Sequence, residues 1–152
     1  MRKGLHMDNP FESWLRLQLQ LQINAYDADP RALEGEDRTG FLLWNAYAAT
    51  DEIHEALDEV GWKPWASSRH VYEDRMLGEI VDALHFVGNM VLAAAGESKE
   101  SPEQLAAKLW KMYQAKAGVN LQRQEEGYTG LKKCPQCHRD TPDNVCPEHG
   151  RV

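Results

Sequence analysis

The chain has 152 residues, room for about one domain with one real core. Five tryptophans and a hydrophobic share of 42% exclude a disordered chain. The net charge of −7 is uneven: residues 1–96 carry 8 basic and 16 acidic side chains (−8), and residues 97–152 carry 9 and 8 (+1). An acidic body does not draw in DNA or RNA over long range, so stable nucleic-acid binding is not expected. The longest uncharged run after Asp82, ALHFVGNMVLAAAG, has 14 residues, short of the roughly 18 that point to a membrane span. The first residues, MRKGLHMDNP, lack an apolar signal region, which predicts a cytosolic protein.

In chain order, the first predicted helix covers about Pro10 to Ala25. Its LQLQLQ core alternates like a strand, so the helix rests on its length and on the Pro10 start. YDADPRALEGEDRTG reads as a loop. A second helix is expected from about Thr39 to Val60, with Ile53, Ala56, Leu57 and Val60 as its buried stripe. Gly61 and Pro64 end it. After the WKPWASS link, a third helix runs from about Arg69 to Ala95 and stops at Gly96. The fourth opens on SPEQ, with Ser101 as N-cap, Pro102 next and Gln104 closing the box, and continues to about Glu126. No convincing strand is read. The expected class is all-α: a bundle of four main helices over residues 1–130, with a short Cys-rich tail over residues 131–152.

Two acidic motifs carry chemistry. Glu52 and Glu55 lie three apart on one helix, and Glu79 and Asp82 three apart on the next, so each pair projects from one face. A hairpin turning at WKPW can set the pairs opposite each other. A solvated acidic face is the bland alternative. Against it, Asp82 sits in EIVDALHFVGNMVLAAAG, a stretch expected to be largely buried. No Lys or Arg lies within four residues of it. A buried carboxylate needs a partner, and a hard divalent cation, most commonly Mg²⁺, fits four carboxylates.

EIHE at 52–55 and EIVD at 79–82 resemble the metal motif of the all-α nucleoside triphosphate pyrophosphohydrolases, the MazG-like proteins and dimeric dUTPases. WKPW at 62–65, DALHF at 82–86 and KAGVNLQRQEEGY at 116–128 are similar to segments of the dimeric dUTPase branch, in order, over about residues 14–128. The resemblance implies Mg²⁺-dependent hydrolysis of a deoxynucleoside triphosphate, dUTP first, to the monophosphate and pyrophosphate. It implies Mg²⁺ ligation by Glu52, Glu55, Glu79 and Asp82. It places Lys63, Lys116 and Arg123 at phosphates and Asn120 at the base edge, with Asn24 and Gln20 or Gln22 completing base recognition. Trp62 would line the base pocket, His85 and Phe86 would border the sugar, and Tyr128 would be structural. It also implies a homo-oligomer, dimer or tetramer. Two departures stand out: Pro64 follows the lysine where the family has a second tryptophan, and a longer insert is missing. dCTP or a purine dNTP therefore stays open as the substrate. A non-catalytic helical adaptor with a zinc tail is the reading from another class.

The three cysteines all lie in the last 19 residues. Cys134-x2-Cys137 and Cys146-x2-His149 form two short knuckles of soft ligands, which suits tetrahedral Zn²⁺. His138 is an alternative to His149.

Overall fold

The computed structural model describes residues 9–95, 99–125, 131, 134–137, 139, 141 and 145–151. Four helices dominate: α1 (Pro10–Tyr26), α2 (Gly35–Asp58), α3 (Glu73–Ala94) and α4 (Pro102–Glu125). A 3₁₀ turn (Pro30–Ala32) lies between α1 and α2, and a two-stranded ribbon, β1 (Val145–Cys146) with β2 (Gly150–Arg151), lies in the tail. The all-α class stands. The tail ribbon was not legible in the sequence, because two residues per strand carry no alternation. The chain divides into two compact units, Met1–Lys111 and Met112–Val152.

In α1, the Asn9 side chain accepts from the Phe11 N–H at 3.1 Å, and Pro10 occupies the first helical position. The helix ends at Asp27, which takes the left-handed conformation (φ 50°). Helical geometry resolves the alternating LQLQLQ segment. Leu15, Gln18, Leu19 and Gln22 fall on one face and are buried. Leu17 points outward and is 67% exposed. Two glutamines are inside and a leucine is outside, which a count of apolar residues does not reveal.

α2 starts at Gly35, one turn before the expected Thr39 and inside the stretch read as loop. The added turn carries Arg38. Its guanidinium donates to the carbonyls of Ala93 at 2.8 Å and Ala94 at 3.2 Å, at the C-terminal end of α3. The last carbonyls of a helix lack intrahelical partners in general, and a cation there is favoured by the helix dipole.

The link between α2 and α3 is tighter than its sequence implies. Val60 and Val71 form an antiparallel bridge. The Gly61 N–H donates to the His70 carbonyl at 2.7 Å, and the Tyr72 N–H to the Glu59 carbonyl at 3.0 Å. This pairing ends α2 at Asp58 rather than Val60, and delays α3 to Glu73 rather than Arg69. Arg69 sits in the link. Its guanidinium donates to the carbonyls of Lys63, Pro64, Ala66 and Ser68 at 2.6–3.0 Å. One side chain thus holds the WKPWAS turn from within.

In the first unit the core is Leu15, Leu19, Leu92, Ala95, Leu105 and Ala106, with Phe11, Trp14 and Val91 packed against it. α4 enters this core through a capping box: the Gln104 N–H donates to Ser101 Oγ at 3.3 Å, and the Ser101 N–H to Gln104 Oε1 at 2.9 Å.

Two expectations about burial are corrected. In the α2 stripe only Ala56 is buried; Ile53 and Leu57 are 47% and 42% exposed. α3 was read as largely buried, yet Leu77, Val81, Leu84 and Asp82 are all exposed. The cause is one-sided packing. α3 buries Ala83, Gly88, Asn89, Leu92 and Ala93, and its opposite apolar face is uncovered in the single chain. By length and composition α3 would suffice to cross a membrane, but it carries Glu79 and Asp82 and has α2 as its main packing partner.

Gly61 has no room for a side chain: an added Cβ would lie 2.7 Å from the Ser68 carbonyl oxygen and 2.9 Å from the His70 nitrogen. Gly61→Ala is expected to lower stability by about 1–3 kcal/mol in urea unfolding, the range of an overpacked site. No loss would mean that the link is not closed in this way.

Candidate functional site

The α2–α3 hairpin brings the acidic motifs together. Carboxylate oxygens of Glu52, Glu55 and Glu79 lie within 4.8 Å of one another. Asp82, one turn beyond Glu79, lines a cleft together with Glu52. Among the described residues, no lysine or arginine forms an ion pair with any of the four. Glu52 is only part-exposed. Its pKa is raised, first by burial, then by the charges of Glu55, Asp82 and Glu79 and by a hydrogen bond with Glu79. The cluster is therefore a concentration of negative charge that lacks a counter-charge among the described residues. Hard oxygen donors in this number are the ligand set of a divalent cation.

The cleft beside the cluster has a volume of about 580 Å³, within the usual size of a small-molecule site. Its floor is a chain of buried amides. Asn45 Nδ2 donates to the Phe41 carbonyl at 2.8 Å. Asn89 Nδ2 donates to Asn45 Oδ1 at 2.8 Å, and Gln18 Nε2 to Asn89 Oδ1 at 2.7 Å. Gln18 Oε1 meets His85 Nδ1 at 2.7 Å. A carbonyl can only accept, so the Phe41 end fixes the sense of every link. Each amide must then turn its oxygen to the next donor, and His85 Nδ1 must carry a proton. The histidine is held as a donor at Nδ1 whatever its charge.

His85 and Phe86 line this cleft, as does Gln22. Gln20 and Asn24 do not: both lie on the exposed side of α1. Gln18 and Gln22 hold the inward positions instead. Gln18, Asn45 and Asn89 also line the cleft, and the motifs read from the sequence do not include them. The available signal was a polar residue inside an apolar helix, as in LLWNAY and FVGNMV, where burial demands a partner.

Trp62 and Lys63 line a smaller depression, with Asp58, Ser68 and His70, rather than the main cleft. Lys63 Nζ stands 5.9 Å from the centre of the Trp62 ring. In the second unit, Lys116, Asn120 and Arg123 are exposed on α4, at a spacing that puts them on one helical face. Tyr128 and His138 lie outside the described residues. In the same unit, ligand atoms of Cys134, Cys137, Cys146 and His149 lie within 4.8 Å of one another, an arrangement compatible with zinc. All three cysteines are free. The Cys134 thiol is lowered to about 6, chiefly by the backbone N–H of Cys137, with Gln136 adding to it.

A family model described as dUTPase matches residues 14–110. No curated protein and no solved structure gives a significant match. The matched segment contains the acidic cluster, the amide chain and the WKPW link. It leaves out the exposed basic face of α4 and the cysteine tail.

A carboxyl whose pKa is raised on folding binds its proton more tightly folded than unfolded. Stability then falls as pH rises from the ordinary carboxylate range through the raised value. Glu52→Gln is thus expected to raise the melting temperature at neutral pH without divalent cations, and to flatten that fall. A lower melting temperature for Glu52→Gln at neutral pH would count against the repulsion. For the amide chain, Asn89→Leu leaves Gln18 and Asn45 unsatisfied and is expected to cost about 1–3 kcal/mol in chemical denaturation.

Proposed function

Since the chain belongs to the all-α dUTPase family, a family of nucleotide pyrophosphohydrolases, we propose that it hydrolyses dUTP to dUMP and pyrophosphate with Mg²⁺. The observation that carries this reading is the acidic cluster, without a basic partner among the described residues, set beside a cleft floored by amides. Residues 1–130 form the hydrolase in this proposal, and residues 131–152 an appendage to it.

Glu52, Glu55, Glu79 and Asp82 would hold the magnesium. Bound Mg²⁺ supplies positive charge for the triphosphate and acidifies a water that it holds. The rest falls to the chain's own groups. The carboxylates set where the polyphosphate lies, and one of them orients the attacking water. Phe86 and His85 border the sugar. Gln22 and the amide chain present donors and acceptors to a pyrimidine edge, with Gln18 held in one orientation by Asn89 and His85. By the resemblance, Lys63 is assigned to the phosphates and Trp62 to the base, from the smaller depression that both line. The uncovered apolar face of α3, with Leu77, Val81 and Leu84, supports assembly of the chain as a homo-oligomer.

A second reading keeps the reaction and changes the base. Pro64 alters the turn that carries Trp62 and Lys63, which favours testing dCTP and purine dNTPs beside dUTP. Pyrophosphate release from a dNTP panel with Mg²⁺ separates these possibilities. dUTP turnover is expected, and Glu55→Ala and Asp82→Ala should each lower it by more than ~100-fold, beyond the usual loss of an outer-shell partner. A preference for a purine would overturn the dUTP assignment alone. Absence of turnover for every nucleotide would leave the adaptor reading. Light scattering at micromolar concentration tests assembly, and a monomer would refute it.

A further inference from the structure

We propose that Cys134, Cys137, Cys146 and His149 hold one Zn²⁺ as a closed structural centre, with His149 bound through Nδ1. The distances among the four residues carry this inference. Cys134 Sγ and Cys146 Sγ each lie 3.5 Å from His149 Nδ1, and Cys137 Sγ lies 3.7 Å from Cys146 Sγ. A tetrahedral zinc with Zn–S about 2.3 Å and Zn–N about 2.0–2.1 Å has edges of ~3.8 Å between sulfurs and ~3.6 Å between sulfur and nitrogen. These three separations match edges of that tetrahedron, and all four ligand atoms lie within 4.8 Å of one another. A disulfide between Cys137 and Cys146 would instead bring the sulfurs to about 2.05 Å.

The composition of the tail points the same way. Among the described residues from Leu131 onward, the buried ones are Cys134, Thr141 and Cys146. Two of these three are ligands, and the only buried apolar side chains among the described residues of the tail are those two cysteines. With so little apolar surface to bury, a segment of this length gains its folding energy from metal. Two local turns present the ligands. The Cys134 N–H donates to the Arg139 carbonyl at 2.9 Å, closing the first knuckle around Cys137. The β1–β2 ribbon pairs Cys146 with Gly150 and sets His149 in the turn between the strands, where Gly150 takes a φ of 78°.

Three thiolates and an imidazole select zinc over magnesium or calcium. Four protein ligands leave no open position, so the centre is structural and takes no part in hydrolysis. It lies outside residues 14–110, and so belongs to this chain rather than to the matched family segment.

The test uses the full-length chain, purified without chelator from zinc-supplemented growth, with metal content measured directly. One zinc per chain is expected. Replacement by Co²⁺ should give the intense visible bands of a tetrahedral site together with thiolate charge transfer. Cys134→Ser and Cys146→Ser should each lose most of the zinc while the far-ultraviolet helical signal is retained. His149→Ala should lose it too, and His138→Ala should keep it. A chain that carries no zinc and binds none on titration would overturn the proposal. Unchanged zinc in both cysteine variants, or a Co²⁺ spectrum without thiolate charge transfer, would do the same. Metal content is read without turnover, so an inactive protein that holds zinc upholds this centre and counts only against the proposed hydrolysis.

Discussion

The first unit is arranged around one electrostatic constraint: the carboxylates of Glu52, Glu55, Glu79 and Asp82 gather at the α2–α3 contact, and no described lysine or arginine pairs with them. Glu52 is drawn partly out of water and faces three other carboxylates. Such a cluster tends to push the two helices apart. The helices stay together because their ends are fastened. At one end the Val60–Val71 bridge, the Gly61 contact and Arg69 close the link. At the other, Arg38 reaches across from the start of α2 to the last carbonyls of α3. Arg38 and Arg69 secure backbone, and Arg75 pairs with Glu59 beside the link. Among the described residues the four carboxylates keep their unbalanced charge as a result.

Beside this cluster lies a second polar feature with the opposite bookkeeping. The amides of Gln18, Asn45 and Asn89 are buried and mutually satisfied. Satisfied networks of this kind rigidify a site, whereas a half-satisfied one destabilises it. The cleft therefore joins a charged rim that calls for a cation to a neutral floor whose amides are each held in one orientation.

Much of this was legible in the sequence, for reasons that differ by element. The capping box at Ser101 and the Pro10 start are local chemistry, and they appear where expected. The i, i+3 spacing of the acidic pairs is helical geometry, and the hairpin brings Glu52, Glu55 and Glu79 together. Burial was less legible. Ile53, Leu57 and the apolar face of α3 look like core in one dimension, yet the single chain leaves them uncovered. Asp82 was read as buried from its apolar neighbours, and one-sided packing exposes it. Gln18 was hidden because LQLQLQ gives every glutamine the same neighbours. Only the phase of α1 against α3, a tertiary fact, decides which of them turns inward.

The amide chain has a single polarity, set by the Phe41 carbonyl and ending on the His85 ring. Positions 18, 45, 85 and 89 therefore do not vary as independent letters. A change at one strands a donor or an acceptor at the next, so a neutral path through sequence space has to move them in compensating pairs. Across relatives, these four sites are expected to covary as one block, with the backbone of residue 41 as the fixed end that none of them can rewrite.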